Sequence, residues 1–167
     1  MRPELPRLDA GRGLLLGGRG DGSFDPIPGQ LSGVLVYGEQ RGAATADFDE
    51  DGRMDLVIAQ NGAGTKLLQN KNGVPGLRIR LLGPPGNPQG IGAVVRLQFQ
   101  NSAGPAYEVH AGSGYWSQDS SVAVLPAPER PVRVSIRWSG GKAVQADLPP
   151  DCREVAVDSA GKVSVLR

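Results

Sequence analysis

Closely spaced acidic residues form the strongest candidate for chemistry in this sequence. Asp47, Asp49, Asp51 and Asp55 occupy positions 1, 3, 5 and 9 of a short segment, and Gly52 stands at position 6. Alternate side chains of an extended loop point to the same side, and a glycine permits a sharp turn that a Cβ would oppose. Because carboxylates this close repel one another, the spacing predicts a hard cation among them. Calcium suits such a set of oxygen ligands better than magnesium does.

The residues around this acidic loop predict strands. Residues 43–46 are small, and residues 56–59 form a short apolar run rich in β-branched side chains. The loop resembles an EF-hand only in its first positions, since an EF-hand needs flanking helices and a glutamate at position 12, where this chain has Ile58. We therefore expect the loop to join two strands, with Phe48 packed beneath it.

The sequence of residues 46–56, ADFDEDGRMDL, resembles the calcium loop of FG-GAP repeats, the propeller-blade repeats of integrin-type and bacterial surface proteins. The resemblance implies a set of ligands made of four side chains and one main-chain carbonyl. These ligands are the side chains of Asp47, Asp49, Asp51 and Asp55 and the carbonyl of Arg53. The alternative is a solvated acidic turn that binds no ion tightly.

The composition predicts an all-β protein. The 167 residues include 25 glycines and 14 prolines, and no window keeps a helical period for long without one of them. The net charge of +1 gives no electrostatic argument for binding nucleic acid. Cys152 is the single cysteine, which excludes an intramolecular disulfide and a cysteine-based metal site.

The chain divides into two regions at about residue 73. We interpret residues 1–73 as a partial FG-GAP-like propeller segment, with strands at residues 14–16 and 34–37 besides those beside the acidic loop. A propeller needs several blades, so the open edges of this segment must be covered by a partner, by self-association or by missing blades. Residues 1–6 are not typical of a signal peptide. We therefore expect a fragment of a longer protein, located outside the cell or in the cell envelope.

Residues 74–167 alternate between apolar and polar side chains. In the first strand of this region Leu77, Ile79 and Leu81 are apolar, and Arg78 and Arg80 between them are expected on the solvent face. Seven more strands follow, which gives the strand density of a small antiparallel β-sandwich or barrel. The segments so predicted lie at residues 95–99, 106–110, 121–125, 132–138, 143–148, 154–157 and 162–165.

The second region also resembles the ASPIC/UnbV domain, which follows FG-GAP repeats in cartilage acidic protein and in many bacterial secreted proteins. Three motifs carry the resemblance in the family's order, namely Gly90-Ile91-Gly92-Ala93, Gly112-Ser113-Gly114-Tyr115 with Ser117-Gln118, and residues 134–141 around Trp138. The chain departs from the family at Leu125-Pro126-Ala127-Pro128, where an FGLG-like stretch is usual, and at Trp138-Ser139-Gly140-Gly141, where the family has Trp-Pro-Ser-Gly. The resemblance implies architecture more than mechanism.

Two further groups of residues offer other chemistry. His110, the single histidine, would have to serve any Ser–His hydrolase, with Ser113 or Ser117 as nucleophile, but no nucleophile elbow surrounds them. Tyr115 and Trp116 lie in a Gly/Ser loop and could stack on sugar rings. We expect Tyr115, at the motif position, to be buried and Trp116 to be exposed.

These observations predict a non-catalytic, calcium-binding structural or adhesion module, whose partner is a protein or glycan at a cell surface. A carbohydrate-binding module of a secreted protein is the main alternative, and an exposed coplanar aromatic platform would favour it. A small hydrolase is the second alternative, and it would need carboxylates converging in a cleft outside the acidic loop. We expect neither nucleic-acid binding nor a membrane span, since no apolar run approaches the required 18 to 20 residues.

Overall fold

A computed structural model describes residues 11–167, so the N-terminal residues 1–10 of the first region lie outside it. The described chain is all-β apart from one helical turn. Its elements are β1 (Leu15–Gly18), β2 (Phe24–Ile27), α1 (Gly29–Ser32), β3 (Glu39–Ala46), β4 (Asp55–Asn61), β5 (Lys66–Leu68), β6 (Leu77–Leu82), β7 (Val94–Gln98), β8 (Tyr107–Glu108), β9 (Ala123–Leu125), β10 (Arg133–Arg137), β11 (Ala143–Asp147), β12 (Glu154–Asp158) and β13 (Val163–Val165). No helix among these residues has the length and apolar character needed to cross a membrane.

The eight strands β6–β13 form a sandwich of two four-stranded sheets, in the orders β11-β10-β7-β8 and β13-β12-β6-β9. The all-β class and the sandwich are thus confirmed, and neither sheet closes into a barrel. One pairing differs from the antiparallel expectation, because β12 runs parallel to β6 with Val155 opposite Ile79. The chain reaches β12 only after crossing to the other sheet through β10 and β11, and this crossover permits the parallel direction.

The core lies between the two sheets and follows from the alternating sequence pattern. Ile79 and Val157 from one sheet meet Val95 and Ile136 from the other, and all four are essentially inaccessible to solvent. Removing each such side chain from water contributes roughly 1.5–3 kcal/mol to stability. Trp138 belongs to the same cluster, so one of the two tryptophans serves the core.

The region before the sandwich has a smaller architecture. Strands β3, β4 and β5 form a three-stranded antiparallel sheet, and β1 and β2 pair with each other as a hairpin. Residues 34–37, predicted as a strand, are irregular, although Val36 is buried. The left-handed backbones of Gly33 and Gly38, with φ of 76° and 114°, interrupt extended structure on both sides of them. The helical turn α1, which ends at Gly33, was also not predicted.

Direct contacts join this region to the sandwich. The Thr45 amide of β3 donates to the Asp119 carboxylate at 2.6 Å, and the Ser120 amide donates to the Thr45 carbonyl at 2.9 Å. At the connection, Gly76 approaches the sandwich so closely that an added Cβ would lie 2.4 Å from the Leu125 carbonyl oxygen. Residues 119–120 therefore border the edge of β3, and Gly76 leaves no space for a side chain.

Limited proteolysis should cleave residues 11–73 before it cleaves the sandwich. Among the described residues of this region only Val36 and Ile58 are buried apolar side chains, so local opening should expose its backbone at low free energy. The order of cuts can be read by mass spectrometry after brief trypsin treatment, with Arg12 and Arg19 as expected early sites. Equal protection of both regions in a protein shown to be monomeric would contradict the partial-propeller interpretation.

Candidate metal centre

The acidic loop connects β3 to β4, as the sequence predicted. Ala46 at the end of β3 pairs with Asp55 at the start of β4, so the two ends of the loop meet. Between them, Glu50 and Gly52 have positive φ angles of 60° and 85°, which turn the chain sharply. The hairpin therefore brings Asp47 close to Asp55, eight positions later.

Three carboxylates converge in this loop. Asp47, Asp49 and Asp55 each contribute a carboxylate oxygen, and these oxygens all lie within 4.8 Å of one another. Asp47 and Asp55 are buried, whereas Asp49 is exposed. The cluster thus opens to solvent on the side of Asp49.

Main-chain hydrogen bonds fix the two buried carboxylates. The amides of Asp51 and Gly52 donate to Asp47 at 3.0 and 2.8 Å. Asp55 accepts from the amides of Phe48 and Asn70 at 2.9 and 2.8 Å. Because an ionised carboxylate offers about four acceptor positions, both groups keep capacity for a further ligand.

Asp51 is not brought into the cluster. Its carboxylate accepts from the Arg53 amide at 2.9 Å and from the Arg53 guanidinium at 2.5 Å. The Arg53 side chain also donates to the Asn70 carbonyl at 3.0 Å. The structure therefore groups three of the four predicted aspartates, and the Arg53 side chain bonds to Asp51 and to the Asn70 carbonyl.

Phe48 does not pack beneath the loop as expected. Its side chain is 71% exposed, although its amide is bonded to Asp55. With Val57 and Leu67 it borders a depression of about 330 Å³ on one face of the three-stranded sheet. The hydrogen bonds to Asp47 and Asp55 define the loop without a hydrophobic anchor, so the ring is left at the surface.

Arg78 is the main residue of this site that sequence reasoning missed. Expected on the solvent face of β6, it is buried, and its guanidinium donates to the Asp47 carboxylate and to Glu154 Oε2, the latter at 3.0 Å. Both carboxylates are also buried. Glu154 stands 76 positions further along the chain, so no local pattern identifies the pair. Strand alternation assigned the face of the side chain correctly, but the acidic loop covers that face.

Burial and the neighbouring carboxylates shift the pKa of Arg78 in opposite directions. Burial by itself lowers the pKa of the guanidinium, but the hydrogen bonds and charges of Asp47 and Glu154 outweigh burial and raise the pKa above its ordinary value. Arg78 stays positive and offsets part of the negative charge of Asp47. Asp49 and Asp55 form no ion pair with the described residues, and three carboxylates beside one arginine offer oxygen ligands that fit the donor chemistry of calcium.

The residues considered for hydrolysis do not assemble. The His110 side chain is exposed, and its Nδ1 lies 3.8 Å from the Glu108 carboxylate. Within residues 11–167, no hydrogen bond joins His110 to Ser113 or Ser117. Cys152 is half-buried and donates to the Pro149 carbonyl at 3.3 Å, and burial raises the pKa of its thiol. A thiol with a raised pKa forms little thiolate at neutral pH and is a poor nucleophile.

Both rings of the Tyr115–Trp116 turn are exposed, by 66% and 89%. The expectation that Tyr115 is buried is therefore wrong, and that for Trp116 is confirmed. The main-chain carbonyls of the two residues pack over Gly42 of β3, where an added Cβ would lie 3.0 and 3.1 Å from them. Because the backbone faces β3, the rings face solvent, nearly parallel, with centroids 5.7 Å apart and planes inclined by 16°.

Comparison with known families bears on the sandwich. Residues 83–163 match the family model described as ASPIC and UnbV. This confirms the resemblance drawn from the glycine, Gly-Ser-Gly-Tyr and Trp138 motifs over a little under half of the chain. The ASPIC/UnbV segment runs from the turn after β6 to the start of β13, and the acidic loop lies outside it. No curated protein matches the chain.

Packing explains one motif of the ASPIC/UnbV segment. Gly90 has a φ of 69°, and an added Cβ would lie 2.7 Å from Leu81 Cδ1 and 3.2 Å from Trp138. Backbone conformation and space therefore both require a glycine there. The turn after β6 closes on the core tryptophan at this position, which links two of the motifs physically.

Replacing Arg78 with methionine should destabilise the protein by about 3–5 kcal/mol, because Asp47 and Glu154 would remain buried without their cation. Arg80→Met is the matched control. Arg80 contacts Glu154 at 3.2 Å but is half-exposed, and such pairs contribute about 0.2–1 kcal/mol. Urea unfolding in the presence of a chelator would measure both free energies. Equal losses in the two variants would show that the buried network does not join the loop to the sandwich.

Proposed function

We propose that this chain is a non-catalytic, calcium-binding structural or adhesion module of an extracellular or cell-surface protein. The observation that carries the proposal is the convergence of Asp47, Asp49 and Asp55, whose carboxylate oxygens lie within 4.8 Å of one another. Two buried aspartates held by main-chain amides and one exposed aspartate form a pre-organised, solvent-accessible group of hard ligands.

In this proposal the loop residues hold the ion and Arg78 transmits its effect. Asp47, Asp49 and Asp55 provide the first ligands, and a bound calcium ion would supply positive charge that screens their repulsion. Asp51 and the Arg53 carbonyl complete the ligand set if the Asp51 side chain leaves the Arg53 guanidinium. Because Asp47 also bonds to Arg78 of the sandwich, calcium would rigidify the junction as well as the loop.

The FG-GAP assignment of the first region belongs to this proposal. Its support is the acidic-loop sequence, its position in a hairpin, and a three-stranded meander with apolar Val57 and Leu67 partly exposed. A propeller blade is flanked by neighbours that cover such a face. We propose that further blades or a cell-surface partner, protein or glycan, complete this region, with the ASPIC/UnbV segment following it.

Calcium should raise the melting temperature of the parent protein, and a chelator should lower it. A ligand that binds only the native state adds about 2.7 kcal/mol at a hundredfold excess over its dissociation constant. Asp49→Asn should weaken this response most cleanly, because Asp49 is exposed and its side chain makes a hydrogen bond only to Gln69 among the described residues. Differential scanning calorimetry with calcium and with EGTA measures the shifts.

Two control variants sharpen this test. Asp147→Asn, which removes an exposed carboxylate on β11 far from the loop in sequence, should respond to calcium as the parent does. Asp51→Asn tests whether Asp51 is a ligand. A strong loss of the calcium-induced rise in melting temperature means that Asp51 binds the ion, and a weak loss means that it stays bonded to Arg53. A parent protein whose melting temperature ignores both calcium and chelator would refute the proposal.

Carbohydrate binding is the second candidate function, and the Tyr115–Trp116 turn favours it. The two rings are exposed and stacked on each other, and aromatic surface of this kind suits contact with a sugar ring. Trp116 adopts a φ of 51°, an uncommon conformation for a bulky residue, so the turn presents its ring at some cost in backbone energy. Strain of this kind concentrates at binding sites.

Trp116→Ala should abolish binding to any neutral glycan that this turn recognises, while it changes the free energy of unfolding by under about 0.5 kcal/mol, as expected of a surface substitution. Tyr115→Ala should behave in the same way, because its ring is exposed too. A glycan array read with the parent and both variants is the measurement. A large loss of stability in Tyr115→Ala would show instead that the ring supports the fold, and unchanged glycan signals in both variants would remove this candidate.

A further inference from the structure

The outer face of the sheet β11-β10-β7-β8 carries a cationic depression that the proposed calcium site does not use. Its volume is about 460 Å³. The polar residues that line it are Arg96, Gln98, Ser135, Arg137 and Gln145. They lie on three neighbouring strands and point away from the core, because the residues between them face inward.

The guanidiniums of Arg96 and Arg137 have no counter-charge in the part of the chain that the structure describes. Within residues 11–167, neither makes a hydrogen bond or an ion pair. Arg133, on the same face, differs in this respect, because it donates to the Asp147 carboxylate at 2.8 Å. The depression is therefore positively charged although the whole chain carries only +1.

The register fixes the spacing of the two cations. Arg96 stands opposite Ser135, and Arg137 stands two residues further along β10. Such diagonal neighbours on one face of a sheet lie about 7–8 Å apart. Two guanidinium forks at this separation can each bind a separate anionic group of one extended molecule, with paired hydrogen bonds.

The neighbouring groups favour a sugar polymer over other polyanions. Amides of Gln98 and Gln145 and the Ser135 hydroxyl supply donors and acceptors suited to sugar hydroxyls, and Gln98 already donates to Ser135 at 3.2 Å. No aromatic residue lines the depression, so nucleic-acid bases have no ring to stack on. It also offers no aromatic pocket for the anchor residues typical of a protein interface.

We propose that this face, centred on Arg96 and Arg137, binds an acidic polysaccharide, with one carboxylate or sulfate group on each guanidinium. The site is separate from the acidic loop and from the Tyr115–Trp116 turn. Binding of the polysaccharide at this face therefore depends neither on calcium nor on the Tyr115 and Trp116 rings. Two exposed ion pairs give only weak affinity, and the repeated anionic groups of a polymer would raise that affinity.

Binding should be measured on immobilised polygalacturonate, dextran sulfate and uncharged dextran by biolayer interferometry, in EDTA so that calcium does not bridge the polymers. We expect binding to one or both acidic polymers and none to dextran. Binding to polygalacturonate alone means that the site recognises carboxylates, and binding to dextran sulfate alone means that it recognises sulfates. Binding to both polymers means that the site recognises negative charge in general. The signal should fall as salt rises from about 0.05 M to about 0.5 M.

The decisive variants change two arginines at a time. Arg96→Gln with Arg137→Gln should weaken binding by about tenfold or more. Arg19→Gln with Arg41→Gln removes the same net charge from arginines already paired with Asp25 and Glu39, and should change affinity by less than about twofold. Arg96→Lys with Arg137→Lys keeps the charge but loses the guanidinium fork, so it should bind more weakly than the parent. If thermal melting shows that the glutamine variant is unfolded, the lysine variant decides the test, and binding as tight as that of the parent would contradict the proposal.

Four outcomes would overturn the proposal. These are failure of the parent to bind either acidic polymer, equal losses in the two glutamine variants, equally tight binding of single-stranded DNA, and loss of polygalacturonate binding in Trp116→Ala but not in the arginine variants. None of these results depends on the response of the melting temperature to calcium, so failure of one proposal does not imply failure of the other.

Discussion

A buried ion-pair network centred on Arg78 connects the two regions of this protein. The guanidinium lies between Asp47 of the acidic loop and Glu154 of β12, and all three side chains are almost inaccessible to solvent. Burial of three charges is costly, and it is tolerated only where each has a partner of opposite sign and further hydrogen bonds. Asp47 meets this condition through two main-chain amides as well as through Arg78. The position of the loop on the sandwich is therefore specified by charge pairing rather than by apolar packing.

The two regions differ in how much apolar surface they bury. The sandwich buries apolar side chains from both of its sheets, whereas the preceding region buries little besides Val36 and Ile58 among the described residues. A region with so little apolar burial depends on neighbours, on hydrogen bonds or on a bound ion for its order. The contacts of Thr45 with residues 119–120 and the bonds to Asp47 supply part of that order. A calcium ion at the three carboxylates would add to it at the place where the two regions meet.

The sandwich presents two surfaces of different chemistry. At one, the backbone of the Tyr115–Trp116 turn packs against Gly42 and turns two rings outward. At the other, β7 and β10 display guanidiniums that make no ion pair with any described residue. Neither surface takes part in the core, so their residues are free of the packing constraints that fix Ile79 or Trp138. The two proposed binding surfaces therefore differ in chemistry and lie on the same sandwich.

The sequence by itself determined the strands of the sandwich, the hairpin position of the acidic loop and the resemblance to ASPIC/UnbV domains. These features depend on period-two alternation, on turn residues and on short motifs, all of which are local. Only the tertiary structure decided that Arg78 is buried, that Asp51 turns to Arg53, that Tyr115 is exposed and that β12 runs parallel to β6. Alternation tells which residues share a face but not what covers that face. The acidic loop covers Arg78, and β3 covers the backbone side of the Tyr115 turn, so the outcome at both places depends on residues far away in the chain.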